Sequence, residues 1–449
     1  MPTKLRITYG QIFAIAAPLI LGSAGQNIVA LSDSIFLYYQ SEDDFAAIGF
    51  VGVFYLIMAA IGYGFSKGGQ VMIARRMGEG KPEEVGRNFF DMLYFELALA
   101  LLMFLFMQLG CPYLFKILIK SPVIYEKSLE FLKYRSYGVF FSYTGLAMIA
   151  LYTGVARTKF IMWDTGIMGI FNIVLCYLLV YGKHGFPEMG IAGAGLASTI
   201  AEGAAFIAFV IYIYADKNAE EYHLFKPRKV DLSIIKQQMT IGIPSVAQPV
   251  VGLGSWLVFL SIVELSLGVR ALAVTNLVRV VYLLLSIPSW GFASSINTLV
   301  SNIIGQGNFN MVIPTIWKTA KLCLAVTMVF ALPILLFPTF FLEPLLQKTG
   351  EANLLGEATP ILYVLIGILI LFSIGSVFFN ALASTGAALL GLMLQFICAI
   401  LYLGYIQFIL SYTNGGLTWA WTAEIFYWIV MIGATVWYLK SDRWHSLKM

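Results

Sequence analysis

The chain has 449 residues, of which 59% are hydrophobic and 12% charged, with a formal net charge of +4. So little polar surface cannot cover a water-soluble body of this length, and the small charge excess gives no footing for a nucleic-acid partner. The four cysteines (Cys111, Cys176, Cys323, Cys398) and three histidines (His184, His223, His445) are scattered. They form neither a disulfide framework nor a metal-ligand set.

Apolar runs recur from end to end, without the ten-residue alternation of a membrane barrel strand. In lipid such runs satisfy their backbone groups as helices, so an all-α integral membrane protein is expected. Twelve helices are read at 12–39, 45–74, 88–118, 124–154, 160–182, 189–214, 241–266, 270–304, 314–344, 354–383, 387–411 and 416–440. The first run lacks a short core with a small-residue cleavage site and reads as a retained membrane helix. Pro18, Pro244 and Pro288 mark kinks. The acidic turn "SEDD" (41–44) follows the first helix, and the basic "ARRMGEGKPEEVGR" (74–87) follows the second. Residues 215–240 are the one long polar stretch, read as a cytoplasmic linker with a short amphipathic helix after Asp231. Most of the 28 basic residues lie at the termini, in this linker and in the segments on the same side. That asymmetry puts both termini in the cytoplasm and the chain in the plasma (inner) membrane.

The chain repeats itself. "GYGFSKGGQVMIARRMGEG" (62–80) resembles "SWGFASSINTLVSNIIGQG" (289–307), Pro18 aligns with Pro244, and "GIAGAGLA" from 190 aligns with "GLTWAWTA" from 416. A near-constant offset is the mark of duplication. Each half holds six helices, an even number, so both enter the membrane from the same side as a parallel repeat. The expected organisation is a six-helix lobe over 1–214, the linker over 215–240 and a second six-helix lobe over 241–449.

Ionisable groups inside the apolar runs carry the functional signal. Asp33, in "QNIVALSDSIFLYYQ", lies two turns from its helix end, and an aspartate at helix centre costs about 3 kcal/mol on insertion scales. Gln26, Val29 and Ala30 share its face, so Gln26 and Asp33 form a polar stripe looking into the bundle. A carboxyl shut away from water takes up a proton readily, which makes Asp33 a proton or ion site; a structural partner for a buried cation is the alternative. Asn172 and Cys176 lie one turn apart, where Asn172 serves as an interhelical hydrogen bonder or as a ligand of a cation or carboxylate. Glu202 shares a face with Ser198 and Thr199, as a cavity residue or as a protonated core acid. Arg279 is three turns into its helix and needs a partner or a watery space. Lys67 is read as snorkelling towards Arg75, Glu264 as interfacial, and Asp91 and Glu96 as peripheral. Glu424 has no assigned role. No phosphate loop, paired aspartates, Ser/His set or metal cluster is present, so the chain is expected not to be an enzyme, and any work it does draws on an ion gradient.

"IAAPLILGSAGQNIVALSDSIFL", "GYGFSKGGQVMIARRMGEGK" and "NIVLCYLLVYGKHGFPEMGIAGAGLAS" together resemble the multidrug and toxic compound extrusion (MATE) transporters over nearly the whole chain. The resemblance implies two six-helix lobes around a central cavity and export of amphipathic or cationic small molecules in exchange for protons or sodium ions. It implies coupling at Asp33 and Asn172, with Ser198 at a threonine position of the family. Cys176 stands where the family's second carboxylate falls. Loss of that oxygen ligand favours protons over sodium. Gln26, Glu202 and Arg279 are the candidate cavity residues. The full expectation is a monomeric antiporter working by alternating access, with no cofactor beyond the coupling ion (H+ or Na+). The rival is a flippase for lipid-linked oligosaccharides from the same superfamily, which would place several cations in its cavity.

Overall fold

Backbone groups in an apolar run have only each other to bond, and the chain is helical almost throughout. The computed structural model describes residues 4–347, 352–412, 415–441 and 443–446. Among these, the helices are α1 (Tyr9–Gln40), α2 (Glu42–Gly78), α3 (Val85–Leu105), α4 (Cys111–Leu118), α5 (Pro122–Arg135), α6 (Gly138–Gly154), α7 (Lys159–Tyr181), α8 (Gly190–Ala215), α9 (Leu232–Gly305), α10 (Val312–Leu336), α11 (Pro338–Gln347), α12 (Ala352–Ser384), α13 (Ala388–Tyr412) and α14 (Leu417–Lys440). A π-turn at Phe106–Gly110 joins α3 to α4 without interruption.

Ten helical stretches of the described residues are long and apolar enough to cross a membrane. The 74-residue α9 is interrupted at Gly268, with φ 85° and ψ 176°, a backbone region open only to glycine. It therefore supplies two crossings, and the pair α5–α6 supplies another, giving the twelve read from the sequence. Three boundaries differ. The helix that begins after Asp231 does not stop before a new start at 241; α9 runs through from Leu232, since Pro244 in a helix interior frees a carbonyl but need not end the helix. The ninth run ends at Leu336, where Pro338 disfavours helical backbone at Phe337, and α11 starts afresh. The fourth run breaks at 136–137, between α5 and α6.

The repeat is visible in the backbone itself. At the end of α2, the amide of Glu79 donates to Arg75 O, that of Gly80 to Met77 O and that of Lys81 to Arg76 O. At the end of α9, Gln306 donates to Asn302 O, Gly307 to Ile304 O and Asn308 to Ile303 O. Gly80 and Gly307 share a φ of 75°, the left-handed conformation that closes a helix and favours glycine. A 3-10 turn follows each, Pro82–Glu84 and Phe309–Met311.

The chain divides into two compact units, one built on Ala17–Val246 and the other on Ala247–Met449 with Leu5–Ala16. In the first, α7 packs on α8, α2 on α6 and α3, and α5 on α8. Its core gathers Val51, Tyr143, Leu179 and Ala194. In the second, α12 packs on α10 and α14, and α13 on α14, around Phe259, Tyr282, Leu365 and Trp421. Large apolar side chains outside these cores stay bare: Leu31 is 60% exposed, Ile117 80% and Leu265 87%. Water would not tolerate so many; a bilayer is the solvent that does.

Lipid gives helices no hydrophobic reason to associate, so close approach through small residues does that work. A Cβ on Gly68 would lie 2.2 Å from the backbone oxygen of Gln238, at the start of α9. Gly68→Ala is therefore expected to cost about 1–3 kcal/mol through overpacking against backbone. Gly49→Ala, with nothing within 4 Å, should be neutral. Thermal unfolding of the two variants in detergent checks the pair.

This close packing overturns three readings. Lys67 does not snorkel; it is buried at 7% exposure beside Gly68. Asp91 and Glu96 are not peripheral, since both are buried. Glu96 accepts a 2.7 Å hydrogen bond from Ser66 Oγ, and Asp91 accepts one from the amide of Asp231. Glu264, by contrast, is exposed, close to the Gly268 break. The stretch after α8 is pinned by Asp216, which bonds Arg157 and, at 2.9 Å, the hydroxyl of Tyr152. Burial alone would raise the Asp216 carboxyl, but Arg157, the Asn218 amide and Tyr152 outweigh it and hold it below the usual carboxylate range.

Candidate functional site

A cavity of about 660 Å³ opens inside the first unit. The face of α1 that carries Asp33 also carries Gln26, Val29 and Ala30, and all four line it. Helical spacing brings Asp164, Met168 and Asn172 of α7 to the same space, and Ser198, Ala201, Glu202 and Ala205 of α8. The run of glycines and alanines that opens α8 lets α7 lie close against it, and this closeness sets the polar geometry.

Asp33 is buried at 8% exposure, and three side chains converge on it. Asn172 Nδ2 donates to Asp33 Oδ1 at 2.9 Å, and Cys176 Sγ donates to the same oxygen at 3.1 Å. Ser198 Oγ donates to Asp33 Oδ2 at 2.9 Å and accepts from Asn172 Nδ2 at 3.0 Å. The resemblance implied these four residues as one group, and they form one network. Asn172 Oδ1 is buried with no hydrogen-bond partner among the described residues. The cluster therefore suits both states of the acid. Three donors satisfy an ionised carboxylate, while a protonated one finds acceptors in Ser198 Oγ and the spare carboxamide oxygen.

Glu202 lines the cavity, but not as an isolated protonated acid. Its carboxylate holds the Arg135 guanidinium in a two-pronged pair, with Nη1 to Oε2 at 2.7 Å and Nη2 to Oε1 at 2.5 Å. The guanidinium also lies 3.7 Å from the centroid of the Tyr55 ring, a cation–π contact. The break between α5 and α6 makes room for this: a Cβ on Gly138 would meet Arg135 Nη1 at 2.1 Å and Glu202 Oε2 at 2.7 Å.

Gln26 reaches the cavity but is exposed. Arg279 does not line it. It sits on α9 in the other unit, half-buried, with a buried Nε that has no hydrogen-bond partner among the described residues. The sequence reading missed Arg135, Tyr55 and Asp164. Asp164 was visible as an acid on the same helical face as Asn172, whereas Arg135 ends a stretch that also carries Glu126, Lys127, Glu130 and Lys133 and did not stand out.

A MatE family model matches residues 18–178 and 251–406. Among similar proteins, a probable multidrug resistance protein NorM of Thermotoga maritima is 25% identical, over 97% of this chain and 93% of its own length. A probable multidrug resistance protein NorM of Agrobacterium fabrum is 24% identical over 91% of this chain and 85% of its own. Among solved structures, an outward-facing multidrug resistance MATE family transporter of the MOP superfamily superposes with a TM-score of 0.87 at 18% identity, covering 98% of this chain and 97% of that one. The fold is thus that of a two-lobed, twelve-helix membrane transporter.

Proposed function

The chain belongs to the MatE family, and we propose that it is a plasma-membrane antiporter that expels amphipathic or cationic small molecules in exchange for protons. Multidrug efflux is the activity named for its NorM relatives. The observation that carries the coupling step is the buried Asp33 held by Asn172, Cys176 and Ser198. A proton arriving from outside neutralises Asp33, and the hydroxyl and carboxamide of its neighbours re-orient to hold the acid. Release of that proton to the cytoplasm restores the carboxylate, and the two states bias the protein between its access conformations. A hard cation would want about six oxygen ligands; here the carboxylate, one carboxamide oxygen and one hydroxyl face a thiol. This supports protons over sodium.

The cavity's charge supports export of cations over a flippase for lipid-linked oligosaccharides. Among the described residues that line it, the cation is Arg135, which Glu202 already neutralises, so no bare positive group among them is left for a pyrophosphate. Both termini are assigned to the cytoplasm from the basic residues of the loops.

Purified protein in liposomes, with proton and sodium gradients imposed separately, tests the reading. Uphill movement of an amphipathic cation is expected with an inward proton gradient and not with a sodium gradient alone. Movement driven by sodium at fixed pH would refute proton coupling, and no gradient-driven movement of any probe would refute antiport.

A further inference from the structure

Asp164 has no part in the network around Asp33. It stands on the α7 face that also carries Met168, Asn172 and Cys176, at steps of four residues. Eight residues separate it from Asn172, so the two lie about 12 Å apart along the helix axis. Its side chain is 8% exposed and lines the cavity. Among the described residues no hydrogen bond or ion pair reaches it. The nearby hydroxyl of Thr165 is taken by the carbonyl of Ile161 at 3.0 Å. The cations closest in sequence are also committed elsewhere: Arg157 binds Asp216, and Lys159 is exposed. The cavity's own cation, Arg135, is held by Glu202.

A carboxyl group that faces a largely apolar cavity and has no protein partner is costly, and a protein keeps one where a ligand completes it. The rest of the wall describes that ligand. It is mostly apolar, with Val53, Leu56, Met168 and the rings of Phe141 and Phe206, whose centroids lie 5.8 Å apart. A space of about 660 Å³ fits a drug-sized molecule.

We propose that Asp164 is the counter-charge for the transported molecule: an amphipathic monovalent cation seats its charged centre on the Asp164 carboxylate and lays its apolar body along Met168, Phe141 and Phe206. This rests on the export reading above, but it assigns substrate charge to a carboxyl separate from the one that carries the proton. Two sites about two helical turns apart need not be emptied in the same step. Molecules of equal size and shape are then sorted by whether they bear a positive charge.

Equilibrium binding to purified protein tests this without any gradient. The probes are tetraphenylphosphonium, a permanent cation, and triphenylphosphine oxide, a neutral compound of related shape. Asp164→Asn should weaken the cation about tenfold or more, as expected when one member of a buried charge pair is removed. The neutral probe should bind as before, and Asp164→Glu should restore the cation. If Asp164→Asn does not survive purification, Asp164→Ser is measured in its place. Equal cation affinity in wild type and variant, or a parallel loss of both probes, overturns the proposal. Asp164-dependent binding without gradient-driven transport would sink the antiport reading and leave this one standing. Proton-driven transport with Asp164-independent binding would do the reverse.

Discussion

Replacing Asp33 with asparagine should reduce proton-driven export to the level of protein-free vesicles while the helices stay assembled. Asparagine keeps the shape and one acceptor oxygen, so at least one of the donors Asn172, Cys176 and Ser198 stays satisfied. The hydroxyl of Ser198 can rotate to accept from the new amide, so the change to the local hydrogen bonds is of the order of 1 kcal/mol, too little to unfold the unit. What asparagine cannot do is gain and lose a proton. Binding of a cationic probe at equilibrium should survive, because the substrate's charge is assigned to Asp164. The check pairs an uphill flux measurement under an imposed pH gradient with that binding measurement. Wild-type flux from the Asp33→Asn protein would end the coupling proposal.

The second large effect is expected at Arg135. Its guanidinium is buried, grips Glu202 with two hydrogen bonds and lies over Tyr55. Arg135→Ala leaves the Glu202 carboxylate largely shut away from water without its counter-ion, a change that typically costs about 3–5 kcal/mol. Glu202→Gln should be milder, since arginine keeps the ring of Tyr55 and a carboxamide oxygen. A double variant, Arg135→Ala with Glu202→Gln, removes both charges together and should lose less than the two single losses combined. Thermal midpoints in detergent for the four proteins decide it; additive losses would mean the pair is not the unit described here.

Much of the fold was legible because lipid imposes one rule on every backbone group, and uninterrupted apolar runs obey it only as helices. The separation of the runs 241–266 and 270–304 was legible from length, since one continuous helix would be far longer than a single crossing; the break itself falls at Gly268. Asp33 could be read because an acid stands out in a run where polar residues are scarce; that Asn172, Cys176 and Ser198 would join it was implied by the family resemblance alone. The depth of Lys67, Asp91 and Glu96 was not legible. Sequence distance from a helix end measures height along the helix, whereas burial there depends on what packs over the residue. The break after Arg135 was hidden likewise. Ser136 and Tyr137 carry no strong stop signal, yet the turn they form lets the guanidinium reach Glu202. Asp164 falls five residues into its helix, where an acid normally meets headgroups; only the packing of the unit covers it.

The duplicated helix endings show that the two halves share a backbone template, but the template no longer carries the same chemistry twice. With Pro18 set against Pro244, the place of Asp33 is taken by Phe259, whose ring packs 5.8 Å from that of Trp421 and 6.0 Å from that of Tyr402. One half holds a titratable group at this register and the other a wedge of aromatic carbon. On the proposed exchange, a single proton then enters for each singly charged molecule that leaves. Such a swap is electrically silent: the voltage across the membrane does no work on it, and only the difference in acidity between the two sides sets how far the cell can be cleared.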